Sequence, residues 1–300
     1  MPGRQEIKFR KLFDLSDLPS DWAVTRVSFD WNADPLVLIE EGKPPQPKDR
    51  GDFEAVVAWM NALPKAHHVI HWVAGRRQVT TFEKSTGNAT AHIQRYGDGW
   101  LLGEARGGMA PIYDSSGKRT GRTLDLGDAS EDVQTTADGH IWVSYFDEGV
   151  FGSGISTAGL VCFDESGTPI FKYSEFAEKH NLPAVDDLYA LNVVDSTETW
   201  FCYYSDFPLV RLRNFELANV WRNLPPTKCF AVDQRGITSA RAYEHGKILR
   251  STTADHFREH VELSPVDGSG SIIEPPFKVS ARREHMCIRT AREVYINSEV

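Results

Sequence analysis

The feature that most constrains the fold of this chain is a sequence unit that recurs about six times along its 300 residues. The unit is clearest at residues 131–173, where two strand-like runs flank Asp138-Gly139 and two more flank Ser166-Gly167. Such pairs between apolar runs are typical of tight turns that join antiparallel strands. Each unit therefore predicts a four-stranded antiparallel meander, and the repetition predicts a radial β array.

The copies align on their first strands with a spacing of roughly 50 residues, which is typical of propeller blades. These first strands begin near Val24, Ala89, Val133, Leu188, Phe230 and Phe277. A short apolar or aromatic run follows each of them and is bounded by turn residues. Runs of this kind are expected for strands that are buried between neighbouring sheets.

The two ends of the chain complement each other. The last copy, from Phe277, offers only three strands, and the segment Glu6–Phe13 has the composition of the missing fourth strand. An N-terminal strand in that place would close the ring and remove exposed sheet edges. We therefore expect an all-β fold, a six-bladed β-propeller of four-stranded antiparallel blades, as a single domain over residues 1–300.

An insertion at residues 43–66 interrupts the first copy between its second and third strands. It begins with a proline-rich stretch, and apolar residues then recur at helical spacing, at Phe53, Val56, Val57, Met60 and Leu63. Asp52 is suited to cap such a helix and Pro64 to end it. We expect one short inserted helix, which either packs beside its own blade or lies across the ring as a partial lid.

Composition restricts the classes of partner. No apolar run approaches the ~20 residues that a membrane span needs, and the N-terminus lacks the apolar core of a signal peptide. We therefore expect a cytoplasmic protein without a membrane partner. The net charge of −9 argues against a nucleic-acid partner, which would require a basic surface.

One short motif resembles known repeats. The segment Asp138-Gly-His-Ile-Trp-Val is similar to the Asp-Gly-x-(Ile/Leu)-Trp turn of NHL-like and two-component-regulator-type propeller repeats. The other copies depart from it, for example with Asp98-Gly-Trp. The resemblance implies the propeller architecture but no particular activity, because propellers host enzymes and binding modules alike.

Propeller geometry places two sets of loops on one face. Loops after the second strands carry Glu41, Glu104, Arg106, Asp147, Glu148, Asp206, Glu244 and His245. Loops before the first strands carry Asp21, Asn88, Glu131, Asp132 and Asp187. The sequence therefore predicts a face with a surplus of carboxylates, relieved by Arg106, Lys228 and Lys278. The alternative for each acid is an ordinary solvated loop residue.

The leading functional hypothesis is a recognition module that binds an unknown protein or a small polar ligand at this acidic face, where complementary charge favours encounter. Its predicted binding residues are Glu41, Glu104, Arg106, Tyr145, Asp147, Glu148 and Asp206. Aromatic residues beside acids, as in residues 144–149, suit a pocket for a polar ring or a cation.

The alternative hypothesis is a metal-assisted hydrolase or lyase with a carboxylate-lined central pocket, and the sequence leaves open whether the protein is an enzyme. Like charges held together raise the pKa of a carboxyl group. Glu148 or Glu244 is therefore a candidate general acid or base, with His245 as its partner. Oxygen ligands suit a divalent cation, Ca²⁺ or Mg²⁺. Candidate ligands, by architectural resemblance to gluconolactonase-like propellers, are Asp21, Asn88, Asp132 and Asp187.

Overall fold

The structure, a computed structural model, describes residues 5–42, 49, 51–61, 64–73, 75–82, 90–204, 206–222, 224–244, 246–254, 257 and 259–297. An N-terminal strand, β1 (Gln5–Asp14), precedes a series of antiparallel sheets. The first sheet contains β2 (Trp22–Phe29), β3 (Pro35–Glu41), β4 (Ala66–Val73) and β5 (Arg76–Phe82). The second contains β6 (Thr90–Tyr96), β7 (Gly99–Glu104), β8 (Met109–Tyr113) and β9 (Arg119–Asp125).

Two further four-stranded sheets follow. The third contains β10 (Ser130–Thr135), β11 (Ile141–Tyr145), β12 (Leu160–Phe163) and β13 (Pro169–Lys172). The fourth contains β14 (Asp187–Val193), β15 (Glu198–Tyr204), β16 (Leu209–Arg213) and β17 (Glu216–Trp221). The predicted Asp138-Gly139 turn joins β10 to β11, and Gly139 adopts φ +91°, a region that favours glycine.

The last strands form one eight-stranded sheet with β1. They are β18 (Thr227–Asp233), β19 (Gly236–Arg241), β20 (Ile248–Thr252), β21 (His260–Val266), β22 (Lys278–Arg282), β23 (His285–Arg289) and β24 (Glu293–Asn297). Strand β1 pairs antiparallel with β24, which confirms that the N-terminal segment completes the last sheet. Its first residues also pair in parallel with β21, from Gln5 opposite Leu263 to Lys8 opposite Val266. This second pairing, which the sequence did not predict, fuses two units.

The first strands of successive units face one another around a central channel. In the described residues, β2, β6, β10, β14, β18 and β22 each contact the next, and β22 contacts β2. Apolar side chains fill the space between neighbouring sheets, as where Leu101 and Ile112 pack against Val133 and Val161. Burial of each such side chain contributes about 1.5–3 kcal/mol.

The inserted helix, α1 (Phe53–Asn61), lies between β3 and β4. Asp52 caps it as predicted, since the backbone N–H of Ala55 donates to Asp52 Oδ1 at 3.0 Å. Phe53 is 76% exposed, so this apolar residue of the predicted helical pattern faces solvent. The proline-rich residues 43–48 and the Met60 and Leu63 side chains lie outside the described part of the chain.

The described residues contain two other helices, α2 (Asp147–Val150) and α3 (Tyr173–His180), together with 3-10 turns at Leu15–Asp17 and Gly154–Ala158. The fourth strand of the third sheet, predicted to run through Tyr173, ends at Lys172, where α3 begins. Helix α3 buries Tyr173, Phe176 and Ala177, and Asn181 caps its C-terminus with φ +51°. None of the helices in the described residues is long and apolar enough to cross a membrane.

Candidate binding site

The strand register brings two sets of loops to one face. The start of each first strand lies opposite the end of the second strand, as in Trp22–Glu41, Thr90–Glu104, Ser130–Tyr145, Asp187–Tyr204, Thr227–Arg241 and Lys278–Arg289. The residues that precede first strands therefore lie beside those that follow second strands. We call this surface the loop face.

Arg282 closes the central channel at the end opposite the loop face. Its guanidinium is buried and donates to Val193 O at 3.1 Å, to Phe29 O at 3.3 Å and to Gln94 Oε1 at 3.2 Å. It also donates to Thr135 O. Burial lowers its pKa to about 10, so it remains cationic near neutral pH. The channel is therefore not an open path through the ring.

A second set of polar contacts crosses the channel nearer the loop face. Arg26 Nη2 lies 2.7 Å from Asp132 Oδ1 and also donates to Glu131 O at 3.3 Å. Gln134 Nε2 donates to the other Asp132 oxygen at 2.9 Å. A cavity of about 110 Å³ remains among these side chains. It adjoins a larger recess of about 450 Å³ on the loop face, which Arg26 and Glu131 also line.

The recess is lined mainly by cations. Its charged lining residues in the described part of the chain are Arg26, Lys228, Arg241, Lys247, Lys278, Arg289 and Glu131. The predicted surplus of carboxylates therefore does not extend to this sector of the loop face, where the sequence had placed only Lys228 and Lys278 as cations. The physical reason is that the starts of β18 and β22 and the ends of β19 and β23 carry lysine and arginine.

The carboxylates predicted to act in catalysis are held in ion pairs. Glu148, in α2, accepts from Arg106 Nη1, and both side chains are more than half exposed. Glu244 accepts from Lys247 Nζ at 2.5 Å and from Arg241 Nη2 at 2.8 Å. These two hydrogen bonds hold the pKa of Glu244 below its ordinary value. His245 lies outside the described residues.

The predicted metal ligands have separate surroundings. Asp132 is engaged by Arg26, and Asp21 is exposed. Burial, and then repulsion by Glu131, raises the pKa of Asp187 to about 6. Within the described residues, no three His, Cys, Asp or Glu side chains are grouped so as to hold a metal ion. Asn88 lies outside those residues, so the metal site stays a prediction.

The predicted binding residues divide by burial. Arg106, Asp147, Glu148 and Asp206 are exposed on the loop face. Tyr145 is fully buried and its hydroxyl donates to Leu126 O, and Glu104 is also buried. Glu41 is half-buried and contacts His68 Nε2 at 2.9 Å. Tyr145 ends a core strand and its ring is buried beneath the loop face, so the exposed surface consists of the other residues.

An aromatic group that the sequence did not predict also lies on the loop face. This tyrosine cluster contains Tyr189, Tyr204, Phe207 and Tyr243, at the loop-face ends of the fourth sheet and of β19. The Tyr189 and Tyr243 hydroxyls are 2.7 Å apart. Tyr204 is 46% exposed and Tyr243 60%. Tyr204 ends the second strand β15 and Tyr243 follows the second strand β19, and these two positions were the available sequence signal.

Comparison with known proteins identifies the fold. Residues 160–268 match the YxzG family, and no curated protein matches the chain in sequence. Hsv2 of Kluyveromyces lactis is similar in structure, with a TM-score of 0.50 and 9% identity over 91% of this chain and 73% of that one. A chain of the Mitotic Checkpoint Complex is also similar, with a TM-score of 0.50 and 9% identity over 99% of this chain and 87% of that one.

A third similar structure is PorZ of Porphyromonas gingivalis, with a TM-score of 0.50 and 10% identity over 92% of this chain and 33% of that one. At this level of identity the likeness concerns the fold alone. The similar structures are β-propeller proteins. Taken with the ring of antiparallel sheets, the comparisons show that this chain has the general β-propeller fold.

Proposed function

We propose that the chain is a six-bladed β-propeller that serves as a non-enzymatic recognition module and binds a protein partner at its loop face. The ring of contacts among β2, β6, β10, β14, β18 and β22 supports the count of six blades. In this description, β18–β21 form the fifth blade, and β22–β24 with β1 form the sixth. The cytoplasmic location stays a prediction.

The tyrosine cluster is the observation that carries this proposal. Tyr204 and Tyr243 present large rings to solvent, each with a hydroxyl that can form hydrogen bonds. Tyrosine combines apolar contact area with a polar tip, and it is enriched with arginine in the centres of protein interfaces. A cation adjoins the cluster as well, because Lys228 Nζ lies 5.6 Å from the centre of the Tyr189 ring.

The state of the predicted catalytic carboxylates also favours binding over catalysis. General acid–base catalysis needs a pKa moved toward the working pH, usually by burial or by a like charge. Glu244 has the opposite shift because Lys247 and Arg241 bind it, and Glu148 is paired with Arg106 at an exposed position. Exposed ion pairs of this kind are typical of the polar rim of an interface.

Capture of a partner by variants of the full chain tests the proposal. Tyr204→Ala and Tyr243→Ala are expected to reduce recovery of the partner from an extract of the source organism by about tenfold or more, as for hot-spot residues. Ile170→Ala is the matched control, because Ile170 is also 46% exposed but lies in β13, toward the opposite face. Recovery would be measured by quantitative mass spectrometry.

Two outcomes would contradict the proposal. One is recovery that does not differ between the tyrosine variants and Ile170→Ala. The other is turnover of lactones or esters by the wild-type chain that is lost in Glu148→Gln or Glu244→Gln, which would favour the hydrolase alternative.

A further inference from the structure

We propose that the recess on the loop face is a binding site for a small molecule that bears a phosphate or carboxylate group, held by Lys278, Arg289 and Arg26. The proposal deepens the proposed function, because it rests on the same face being a recognition surface. The predicted carboxylates do not account for the cations that line the recess, whereas an anionic ligand would.

The charge balance of the recess is the first observation. Four of its cations have carboxylate partners. These pairs are Arg26 with Asp132, Lys228 with Glu131, and Arg241 and Lys247 with Glu244. Lys278 and Arg289 have no carboxylate partner among the described residues. The recess therefore contains two cations that the described part of the protein does not neutralise.

The placement of these two cations is the second observation. Lys278 and Arg289 lie directly opposite each other on the antiparallel strands β22 and β23. Like charges in this position destabilise a sheet. Lys278 is exposed at the start of its strand, and partial desolvation, with the nearby charges of Arg289 and Arg26, lowers its pKa. An anion bound between these side chains would remove the repulsion.

The geometry of Arg289 favours a bound anion further. Arg289 is half-buried, and its Nη1 donates to Val24 O at the start of the first sheet. This contact fixes the guanidinium at the junction of β2 and β23. A fixed guanidinium can offer paired N–H groups to a planar carboxylate or a phosphate, and a lysine ammonium adds a point charge.

The size of the recess indicates a small ligand. Its volume of about 450 Å³ lies within the range of roughly 300–1,000 Å³ that is usual for small-molecule sites. Its wall also includes Val27, Ala240, Phe277 and Val279. A ligand with an anionic group and a short apolar or neutral body fits this mixture of charged and apolar walls.

Calorimetric titration of the full chain with pyrophosphate, and separately with citrate, tests the proposal at an ionic strength held constant with sodium chloride. We expect one anion to bind per wild-type chain. Lys278→Gln and Arg289→Gln are each expected to weaken this binding about tenfold, the loss expected for a charged hydrogen bond. The stronger of the two anions identifies the phosphate or the carboxylate class.

Lys118→Gln is the matched control, because Lys118 is exposed in the turn between β8 and β9, on the opposite face. It should leave the affinity unchanged. Lys278→Gln should also melt at or above the wild-type temperature without anion, because it removes a like-charge contact. A lower melting temperature in Lys278→Gln would contradict the repulsion on which the site is based.

Absence of binding by both anions, or equal weakening in Lys118→Gln, would overturn the proposal. Tyr204→Ala separates this site from the proposed protein interface. Anion binding that is retained in Tyr204→Ala while partner capture is lost would support both proposals. Partner capture by a wild-type chain that binds neither anion would leave the proposed function in place and reject the anion site.

Discussion

Asp187 shows how a single residue acquires unusual chemistry from its place at the start of a first strand. It is half-buried at the beginning of β14, beside the tyrosine cluster. Burial raises its pKa to about 6, with repulsion from Glu131 and Asp147 added and the attraction of Lys228 opposing. The charge of the loop face beside Tyr189 therefore changes as the pH passes through this value.

The sign of the effect on stability follows from linkage. The folded chain binds this proton more tightly than the unfolded chain, so stability falls as the pH rises from the ordinary aspartate value through about 6. Asp187→Asn should raise the free energy of unfolding by about 1 kcal/mol near pH 7.5, after allowance for solvent screening, and by less near pH 4. Urea unfolding at both pH values measures this, with Asp206→Asn as an exposed control. If the free energy of unfolding rose no more near pH 7.5 than near pH 4, the raised pKa of Asp187 would be refuted.

At the scale of elements, turn chemistry made much of the fold predictable. Asp-Gly and Ser-Gly turns bounded short apolar runs, so the second strands and their order could be read from the sequence. Helix α3 could not, because Tyr173, Phe176 and Ala177 span little more than one turn and follow a strand-like run. The parallel pairing of β1 with β21 could not be predicted either, because contacts between sheet edges depend on which strands become neighbours in the folded ring.

The sequence could predict which residues of the candidate site lie on one face, but not which of them contact one another. Antiparallel order placed the ends of the second strands beside the starts of the first strands, as expected. The partners of those residues depend on three-dimensional neighbours, as with Arg106 and Glu148, which are 42 residues apart. The basic recess likewise combines strand ends from four units, so its net charge could not be predicted from any one loop.

Strand β1 allows a direct test of ring closure by the N-terminus. Phe9 is 0% exposed and packs among side chains of the eight-stranded sheet. Phe9→Ala should lower the free energy of unfolding by about 3–5 kcal/mol, because it removes a large buried ring and leaves a cavity. Lys8→Ala, at the adjacent exposed position, should change it by less than about 0.5 kcal/mol. Equal, small effects in urea unfolding would mean that β1 is not part of the cooperative structure.

At the scale of the whole molecule, the channel is occupied by side chains that form hydrogen bonds with the backbone of the inner strands. These strands form no hydrogen-bonded ladder with one another, so their inward backbone groups need other partners. Gln94 Nε2 donates to Phe29 O at 3.2 Å, Gln134 Nε2 to Leu191 O at 2.9 Å, and Asn192 Nδ2 to Phe230 O at 2.8 Å. These amides and Arg282 leave little room in the channel for a ligand, which directs binding to the loop face.

Arg282 connects this network across the ring, and its replacement tests whether the ring unfolds as a unit. Arg282→Lys keeps the charge but loses the planar fork, leaving some buried carbonyls at the ends of β2, β10 and β14 without a donor. The expected loss is about 3 kcal/mol in the free energy of unfolding. Arg235→Lys, exposed in the turn between β18 and β19, is the control and should behave as wild type.

Hydrogen exchange distinguishes two explanations of such a loss. If Arg282 holds the ring together, amides in β2, β10 and β14 should lose protection together, although they belong to three different sheets. If it stabilises only its own strand, the loss should be confined to β22 and β23. The first pattern is expected, because the acceptors of Arg282 lie in strands that share no backbone hydrogen bonds with β22.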